Sequence, residues 1–295
     1  MTALYQLATP LPEAERNSRI YQGELIVFRG FDAMGQLTDR LRAYCVDYFG
    51  DDPTRAHQSM SSPEIDRAAE NLHAAIRKDD DVHLAWRQVL AAIDTDLNET
   101  YGDGVVIRVQ PPRSGSEGER TEPLRAHRDT WGSNLQAQIN WWAPLYDTTP
   151  ERTLVLFPSF FSRIVENDSD DWNFQDMVQA HREKSVPGYP LLPTAARAPG
   201  WDDALVVSLL PGDLLCFSGA HLHASVPNTT NLTRLSFETR TVNCHDMAGG
   251  AGAPNMDGLA PYVTSQIFRH LVSGQKLGKL AAVAASDKLN SQKKT

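Results

Sequence analysis

The hydrophobic pattern of the chain changes near Gly104, and this change restricts the possible folds more than any other feature of the sequence. Between about residues 34 and 101, apolar residues return every three or four positions, which predicts a layer of amphipathic helices. The sequence Ser61-Ser62-Pro63-Glu64 predicts a helix start, since a hydroxyl can cap free amides and proline fits the first turn.

After Gly104, short runs of branched and aromatic residues alternate with turn-forming stretches. The runs are VVIRVQ, PLRAHRD, LQAQINWWAPL, TLVLFP, ALVVSLL, DLLCFSG and TRLSFETRTV. Several short strands without regular helices between them favour a sandwich or barrel over a parallel sheet. We therefore predict a mainly β fold with flanking helices, whose core is a double-stranded β-helix, or jelly roll, of the cupin-like kind.

The length of the chain allows one elaborated domain or two, and we expect a single domain over residues 1–295. Each of its predicted parts has a distinct pattern. The parts are an N-terminal layer of strand and helices over residues 1–103, a jelly-roll core over 104–242 and a C-terminal extension over 243–295.

Three segments interrupt these parts. Residues 158–203 are too long for an ordinary strand connection, and they include a predicted helix near 171–184. The loop at 111–121 is rich in proline, glycine and charge, and we hypothesise that it and the 158–203 insertion close over the barrel mouth as a lid. The stretch MAGGAGAPNMDG at 247–258 predicts a flexible joint.

Charge and leader patterns limit the partners of this chain. It carries 28 basic and 37 acidic residues, and this net charge of −9 repels phosphate backbones, so we expect no nucleic-acid partner. The three cysteines are scattered without CxxC spacing, as is typical of a reducing compartment. No leader pattern and no run of about 18 apolar residues occurs, so we expect a cytoplasmic location without membrane insertion. Oligomeric state has no marker in the sequence.

The sequence His127-Arg128-Asp129 ends the run PLRAHRD, where a strand is expected to leave the sheet. Residues two apart on a strand point to the same face, so an imidazole and a carboxylate can converge here on one metal ion. The HxD pattern alone is short and weak, and an isolated match is more often explained by a surface ion pair, here among Arg125, Arg128 and Asp129.

A second element from Pro211 to Arg240 strengthens the metal interpretation, because it offers further histidines and then an arginine on the following strand. Two histidines and one carboxylate on one face, with positions left open, form the facial triad that suits non-haem Fe(II). His221 and His223 have the same strand parity, so the pattern alone does not choose between them.

The spacing of this second element resembles the phytanoyl-CoA dioxygenase branch of the Fe(II)/2-oxoglutarate-dependent oxygenases. The resemblance lies in the HxD sequence, then His223-Ala-Ser225, Pro227-Asn228, and Arg234 eleven residues after the histidine. It spans about residues 104–242 and implies His127, Asp129 and His223 as the metal ligands. His221, thirteen residues before Arg234, fits less well and is expected to be a supporting histidine.

The resemblance and the polar faces of the strands also predict which residues surround the metal. Arg234 is expected to hold the far carboxylate of 2-oxoglutarate, since a guanidinium binds a carboxylate through two charge-assisted hydrogen bonds. The expected cosubstrate residues are Arg234, Ser225, Ser236, Gln110 and Asn140, and the expected substrate residues are Trp131 and Arg240.

The resemblance implies a dioxygenase that uses Fe(II), 2-oxoglutarate and O2 to hydroxylate a C–H bond of a polar small molecule or natural-product intermediate, releasing succinate and CO2. Retention of Asp129 favours hydroxylation over halogenation, while desaturation, cyclisation and epimerisation stay open. Two alternatives also stay open: a jelly-roll module that binds a metal or ligand, and a zinc-dependent hydrolase without 2-oxoglutarate.

Overall fold

The computed structural model describes residues 4–112, 123–183, 189–202 and 204–278, except for the side chains of 181–183. Its strands are β1 (Leu4–Leu7), β2 (Leu25–Phe28), β3 (Thr100–Gly102), β4 (Val106–Gln110), β5 (Gln138–Pro144), β6 (Leu154–Leu156), β7 (Leu205–Val206), β8 (Leu214–Ser218), β9 (His223–Ser225), β10 (Arg234–Asn243) and β11 (Arg269–His270). Its helices are α1 (Glu13–Tyr21), α2 (Asp32–Phe49), α3 (Ser62–Ile76), α4 (Asp80–Ala92), α5 (Asp129–Ser133), α6 (Phe174–Glu183) and α7 (Cys244–Gly249).

The strands form two sheets, as a jelly roll requires, and the predicted mainly β fold with flanking helices is confirmed. The larger sheet has the order β1-β2-β8-β5-β10-β3-β11, and β4 pairs with β10 beyond the end of β3. Only β1 and β2 pair in parallel among these neighbours. The smaller sheet has the order β7-β6-β9, and a bridge between His127 and His223 extends it.

The N-terminal helices cover the outer face of the larger sheet. Glu64 accepts a hydrogen bond of 2.7 Å from the backbone N–H of Ser61, which is the capping box expected at the start of α3. Trp86 of α4 packs against Trp141 and Phe237 of the sheet, with ring centroids 5.8 and 5.2 Å away. This apolar layer holds the sheet rigid behind the barrel interior.

The barrel interior carries an apolar cluster and a group of polar side chains. Side chains of the two sheets form the apolar cluster, and they are Leu25, Val27, Trp142, Leu154, Leu156, Val207, Leu209, Leu215 and Phe217. Along β5 and β10, buried polar side chains include Gln138, Asn140, Arg234 and Ser236. Buried polar groups in such number are costly unless they have partners, which indicates a binding cavity.

In the N-terminal region, β2 pairs with β8 inside the larger sheet. One expectation about a strand is corrected. The run PLRAHRD is not a regular strand: it makes a single bridge at His127, and α5 begins at Asp129. His127 and Asp129 therefore converge because an extended residue is followed by a helical turn, and not because of strand alternation.

The predicted flexible joint at 247–258 is also corrected, because this glycine-rich stretch packs closely on the core. A Cβ at Gly252 would lie 2.6 Å from the carbonyl carbon of Gln136, so glycine here permits close backbone approach. Ala253 and Thr264 donate backbone hydrogen bonds of 2.9 Å each to Gln136 and Ser133. We call residues 250–264 the C-terminal strap.

The 158–203 insertion is attached to the metal-site region over its described residues. The predicted helix is present as α6, and Asn173 caps its first turn by accepting a hydrogen bond of 2.8 Å from the backbone N–H of Gln175. Ala195 donates a backbone hydrogen bond of 2.8 Å to Ala126, next to His127. Most of the 111–121 loop lies outside the described residues, and the lid hypothesis stays a prediction. No described helix has the length and apolar character needed to cross a lipid bilayer.

Candidate metal centre and cosubstrate pocket

His127 and His223 face each other across an antiparallel pair. Their backbones exchange two hydrogen bonds of 2.9 Å each, and their imidazole rings lie with centroids 4.1 Å apart. Directly opposed residues of an antiparallel pair carry their side chains on the same face. One local pairing therefore brings together two imidazoles that are almost a hundred positions apart in the chain.

Each imidazole is oriented by a backbone carbonyl. Nδ1 of His127 lies 2.7 Å from the carbonyl oxygen of Arg125, and Nδ1 of His223 lies 2.9 Å from that of His221. A carbonyl only accepts, so both Nδ1 atoms must carry a proton, and in a neutral ring Nε2 then keeps a lone pair. Hydrogen bonds of this kind orient histidine ligands in metal sites. Burial lowers the pKa of His223 to about 4, which keeps the ring neutral.

Asp129 completes the group from the first turn of α5. Its Oδ1 lies 3.6 Å from Nε2 of His127, and one ligand atom from each of His127, Asp129 and His223 lies within 4.8 Å of the others. Burial raises the pKa of the Asp129 carboxyl, but neighbouring groups, among them the positive charge of Arg240, outweigh burial and hold this pKa below its usual range. Asp129 is thus an anionic donor beside two imidazole nitrogens.

Asn140 and Arg240 hold the Asp129 carboxylate from neighbouring strands. Asn140 donates to Oδ2 of Asp129 at 2.6 Å, and Gln138 donates to Oδ1 of Asn140 at 2.9 Å. Nη1 of Arg240 lies 3.9 Å from Oδ1 of Asp129, while its Nε bonds Asp103 at 2.5 Å. The amide nitrogen of Asn140 thus contacts a candidate metal ligand, and its expected contact with the cosubstrate stays a prediction.

The residues expected around the far carboxylate of the cosubstrate lie together. Arg234 donates to the carbonyl of Thr153 at 2.8 Å and to Oγ of Ser225 at 3.3 Å. Gln110, opposite Arg234 in the β4–β10 pair, donates to the carbonyl of Val226 at 3.1 Å. Burial lowers the pKa of Arg234 to about 10, and the guanidinium stays charged at neutral pH.

Several buried polar atoms in this region have no hydrogen-bond partner among the described residues. They are Nε of Arg234, Oγ of Ser236, Oε1 of Gln110, Oε1 of Gln138 and Nε1 of Trp142. Native proteins rarely leave such atoms unpaired, because each one costs free energy when it is buried without a partner. These atoms are therefore available to hydrogen-bond with water or with a polar ligand.

His221 and Trp131 lie away from the space between the ligand atoms. Both ring nitrogens of His221 face backbone carbonyls, at 3.1 Å from Gly23 and 3.3 Å from Ser218, and burial lowers its pKa to about 3. The indole of Trp131 is fully buried and donates to Asp257 at 2.6 Å. The structure thus gives Trp131 a packing environment, whereas Arg240 is partly exposed beside Asp129.

Asp257 and Gln138 are near the candidate ligands, and the sequence analysis did not single them out for these positions. Gln138 had a weak indication, because it shares strand parity with Asn140. Asp257 lies in the glycine-rich stretch that was expected to be a flexible joint, and no spacing relates it to the HxD sequence. Its contact with Arg128 joins residues 129 positions apart.

A comparison with protein-family models finds no match, and neither does a comparison with curated proteins. Among solved structures, the chain is similar to EvdO2 from Micromonospora carbonacea var. aurantiaca complexed with 2-oxoglutarate, with 13% identity, 80% of this chain and 93% of that chain covered, and a TM-score of 0.48. It is also similar to the non-heme alpha ketoglutarate dependent carbocyclase SnoK from nogalamycin biosynthesis, with 14% identity, coverages of 88% and 98%, and a TM-score of 0.42. A third similar structure is EctD from S. alaskensis with bound Fe, with 14% identity, coverages of 85% and 84%, and a TM-score of 0.39. At these identities, the resemblance to the phytanoyl-CoA dioxygenase branch stays a prediction.

Proposed function

We propose that the chain is an Fe(II)- and 2-oxoglutarate-dependent dioxygenase that hydroxylates a C–H bond of a polar small molecule. The observation that carries this proposal is the convergence of His127, Asp129 and His223, with both imidazoles turned so that Nε2 is free. Two nitrogens and one carboxylate leave positions open for cosubstrate and oxygen, as non-haem Fe(II) chemistry needs.

The donor set fits iron in its chemistry as well as in its geometry. It contains neutral imidazoles and an ionised carboxylate, and no cysteine belongs to the group found among the described residues. Imidazole and carboxylate suit Fe(II), whereas thiolates suit closed zinc sites and iron–sulfur clusters. The hydrogen bonds to Arg125 and His221 provide the outer support that ligand histidines require.

The pocket around Arg234 fits the far carboxylate of 2-oxoglutarate. Ser225, which contacts Arg234, lies two residues after His223 on β9, and two strand residues span about 7 Å. A five-carbon diacid can bridge such a distance, with one end near His223 and the other near Arg234. The unpaired Nε of Arg234 and the hydroxyl of Ser236 could then both donate to that carboxylate.

When bound, iron with 2-oxoglutarate and O2 supplies the oxidation of the C–H bond, with succinate and CO2 as coproducts. The chain supplies orientation and a dry cavity. Arg234 and Ser225 fix the cosubstrate, Asn140 and Arg240 orient Asp129, and the apolar cluster of the barrel excludes water. Arg240, at the partly exposed side, is the candidate contact for a polar substrate.

The two alternatives differ in how much of this site they explain. A zinc-dependent hydrolase needs the three ligands and a water, and a binding module needs only an ion or ligand. A zinc-dependent hydrolase does not account for the buried Arg234 beside Ser225. The Arg234 pocket therefore favours the dioxygenase over the hydrolase, and the titration below distinguishes the dioxygenase from a binding module.

Anaerobic titration with Fe(II) and then 2-oxoglutarate tests the proposal. We expect the weak visible charge-transfer band of a 2-oxo acid bound to facial-triad iron. Arg234→Met is expected to retain Fe(II) and to need far more 2-oxoglutarate for the same band. Arg16→Met is the matched control, because Arg16 is equally buried but lies against Trp141 on the helix-covered side. Stoichiometric metal without a band would favour the zinc hydrolase or the binding module.

A further inference from the structure

Arg128, the central residue of the HxD sequence, has a buried side chain that ties several segments together. Its Nη1 donates to the carbonyl of Ala220, and its Nη2 donates to the carbonyls of Phe160 and Arg163 at 2.7 and 2.8 Å. Its Nε donates to Oδ2 of Asp257 at 3.2 Å. One guanidinium thus contacts the turn before β9, the start of the 158–203 insertion and the C-terminal strap.

These contacts bear on the spacing between the candidate ligands. Arg128 lies between His127 and Asp129 in the chain, and Ala220 lies three residues before His223. The hydrogen bond from Arg128 to Ala220 therefore links the two segments that carry the ligands. The planar fork of arginine fixes distances that a single point charge cannot fix.

Asp257 holds this arginine in place. Its carboxylate accepts from Nε of Arg128, from Nε1 of Trp131 at 2.6 Å and from the backbone N–H of Val165 at 2.9 Å. Arg128 and Trp131 flank Asp129, so a single carboxylate contacts the chain on both sides of that ligand. The side chains of Arg128 and Asp257 are 2% and 3% exposed, which removes solvent competition for the pair.

Other hydrogen bonds, which do not involve the Asp257 carboxylate, hold the strap around Asp257 in place. Asn167 donates to the carbonyl of Asp257 at 3.0 Å, and Asn134 donates to the carbonyls of Ala260 and Tyr262 at 3.1 Å each. Thr264 donates a backbone hydrogen bond to Ser133. Asp257 is therefore a fixed anchor and not the end of a mobile loop.

We propose that Asp257 and Arg128 are a pair of positioning residues that sets the distance of His127 and Asp129 from His223, and so tunes the affinity and geometry of the metal site. This inference rests on the proposed metal site. Neither side chain contacts the metal position, and both act through the backbone that carries the ligands. Buried ion pairs are poor sources of net stability, but they can specify one arrangement among several.

Co(II) titration measures this role without any turnover, because the visible ligand-field bands of Co(II) report the coordination geometry. Asp257→Asn keeps the shape of the side chain and removes its charge. We expect Asp257→Asn to bind Co(II) about 10–100-fold more weakly, as other outer-sphere variants do, with altered band positions. Asp257→Glu is expected to recover part of the affinity.

Glu13→Gln is the matched control, because Glu13 pairs with the buried Arg16 at 3.1 Å on the helix-covered side. We expect it to lower stability while the Co(II) affinity and bands of the folded protein stay unchanged. If Asp257→Asn does not fold, Arg128→Lys provides the decisive comparison. Lysine keeps the charge but cannot reach three carbonyls and a carboxylate together, so weaker binding and shifted bands are expected.

Two results distinguish failure of this inference from failure of the proposed function. Unchanged Co(II) affinity and bands in folded Asp257→Asn, or in Arg128→Lys where that is the variant that folds, would overturn the positioning role and leave the metal site intact. Failure of the unaltered, folded protein to bind Co(II) at all would overturn the metal site, and the positioning role with it.

Discussion

The side-chain amide of Asn140 donates a hydrogen bond of 2.6 Å to Oδ2 of Asp129, while Oδ1 of the same carboxylate lies on the side of His127. The amide is oriented in turn by Gln138, which donates to Oδ1 of Asn140. A carboxylate with one oxygen occupied in this way can offer the other oxygen to a metal as a single donor. Asn140 thus determines that Oδ1, and not Oδ2, of Asp129 is free to bind a metal.

Replacing Asn140 with Asp should weaken metal binding, because a second carboxylate would face Oδ2 of Asp129 where a donor now lies. We expect Asn140→Asp to bind Co(II) on the order of 10–100-fold more weakly. Asn17→Asp is the control, since Asn17 makes an equivalent bond of 2.7 Å to Asp246 next to Tyr21 of α1. Equal Co(II) affinity in Asn140→Asp and the unaltered protein would contradict this role.

The two neighbouring histidines should differ in what their loss removes. His223→Ala is expected to abolish stoichiometric Co(II) or Fe(II) binding, because it removes one of the three ligand atoms. His221→Asn should retain the metal and lose about 1–3 kcal/mol of stability, since the ring nitrogens of His221 face buried backbone carbonyls, one of which accepts its single N–H, and not the metal position. Metal analysis and denaturant unfolding measure the two effects. Loss of metal from folded His221→Asn would reverse the assignment.

The close approach of the C-terminal strap makes Gly252 sensitive to a single methyl group. Gly252→Ala places a Cβ 2.6 Å from the backbone of Gln136, and we expect it to lower the free energy of unfolding by about 1–3 kcal/mol. Gly35→Ala is the control: Gly35 lies in α2 with no atom near its added Cβ, and alanine there should stabilise by about 0.5–1 kcal/mol. Urea unfolding measures the free energy of unfolding of both variants. A change of the same sign in both would contradict the packing argument.

The three thiols should react slowly in the native protein. Burial raises the pKa of both Cys45 and Cys216 to about 12, and burial with a hydrogen bond to Glu99 raises that of Cys244 to about 11. Thiolate is the reactive form, so a disulfide reagent at pH 8 should modify Cys244 first and the other two only after unfolding. Cys244→Ser should lack the first phase. Rapid modification of Cys45 or Cys216 in the native protein would contradict their burial.

Local patterns predicted the parts of the fold that depend on local physics. The capping box at Ser61 and Glu64 and the strands β4, β5, β8 and β10 follow from residue type and alternation, which neighbouring residues decide. The HxD spacing likewise limited the metal ligands to a small set. The structure adds that His127 and His223 lie opposite each other in an antiparallel bridge. The metal role of the three residues stays a proposal.

Contacts between distant segments could not be predicted in this way. The parallel β1–β2 pair, the pairing of β2 with β8 and the salt bridge of Arg128 with Asp257 each join residues that no periodic pattern connects. The glycines at 249–252 suggested flexibility, because glycine composition does not distinguish a mobile turn from a close backbone approach. Only the position of Gln136 decides between the two.

The strap also has a consequence for the order in which the protein matures during synthesis. A ribosome releases the chain from its N-terminus, so His127, Asp129 and His223 all emerge before Asp257 can reach Arg128. The β2 strand must likewise wait for β8 before its hydrogen bonds are made. Nascent chains that end before Asp257 contain all three candidate ligands but lack the carboxylate that binds Arg128, so the proposed positioning role predicts tight metal binding only after the C-terminal residues are released.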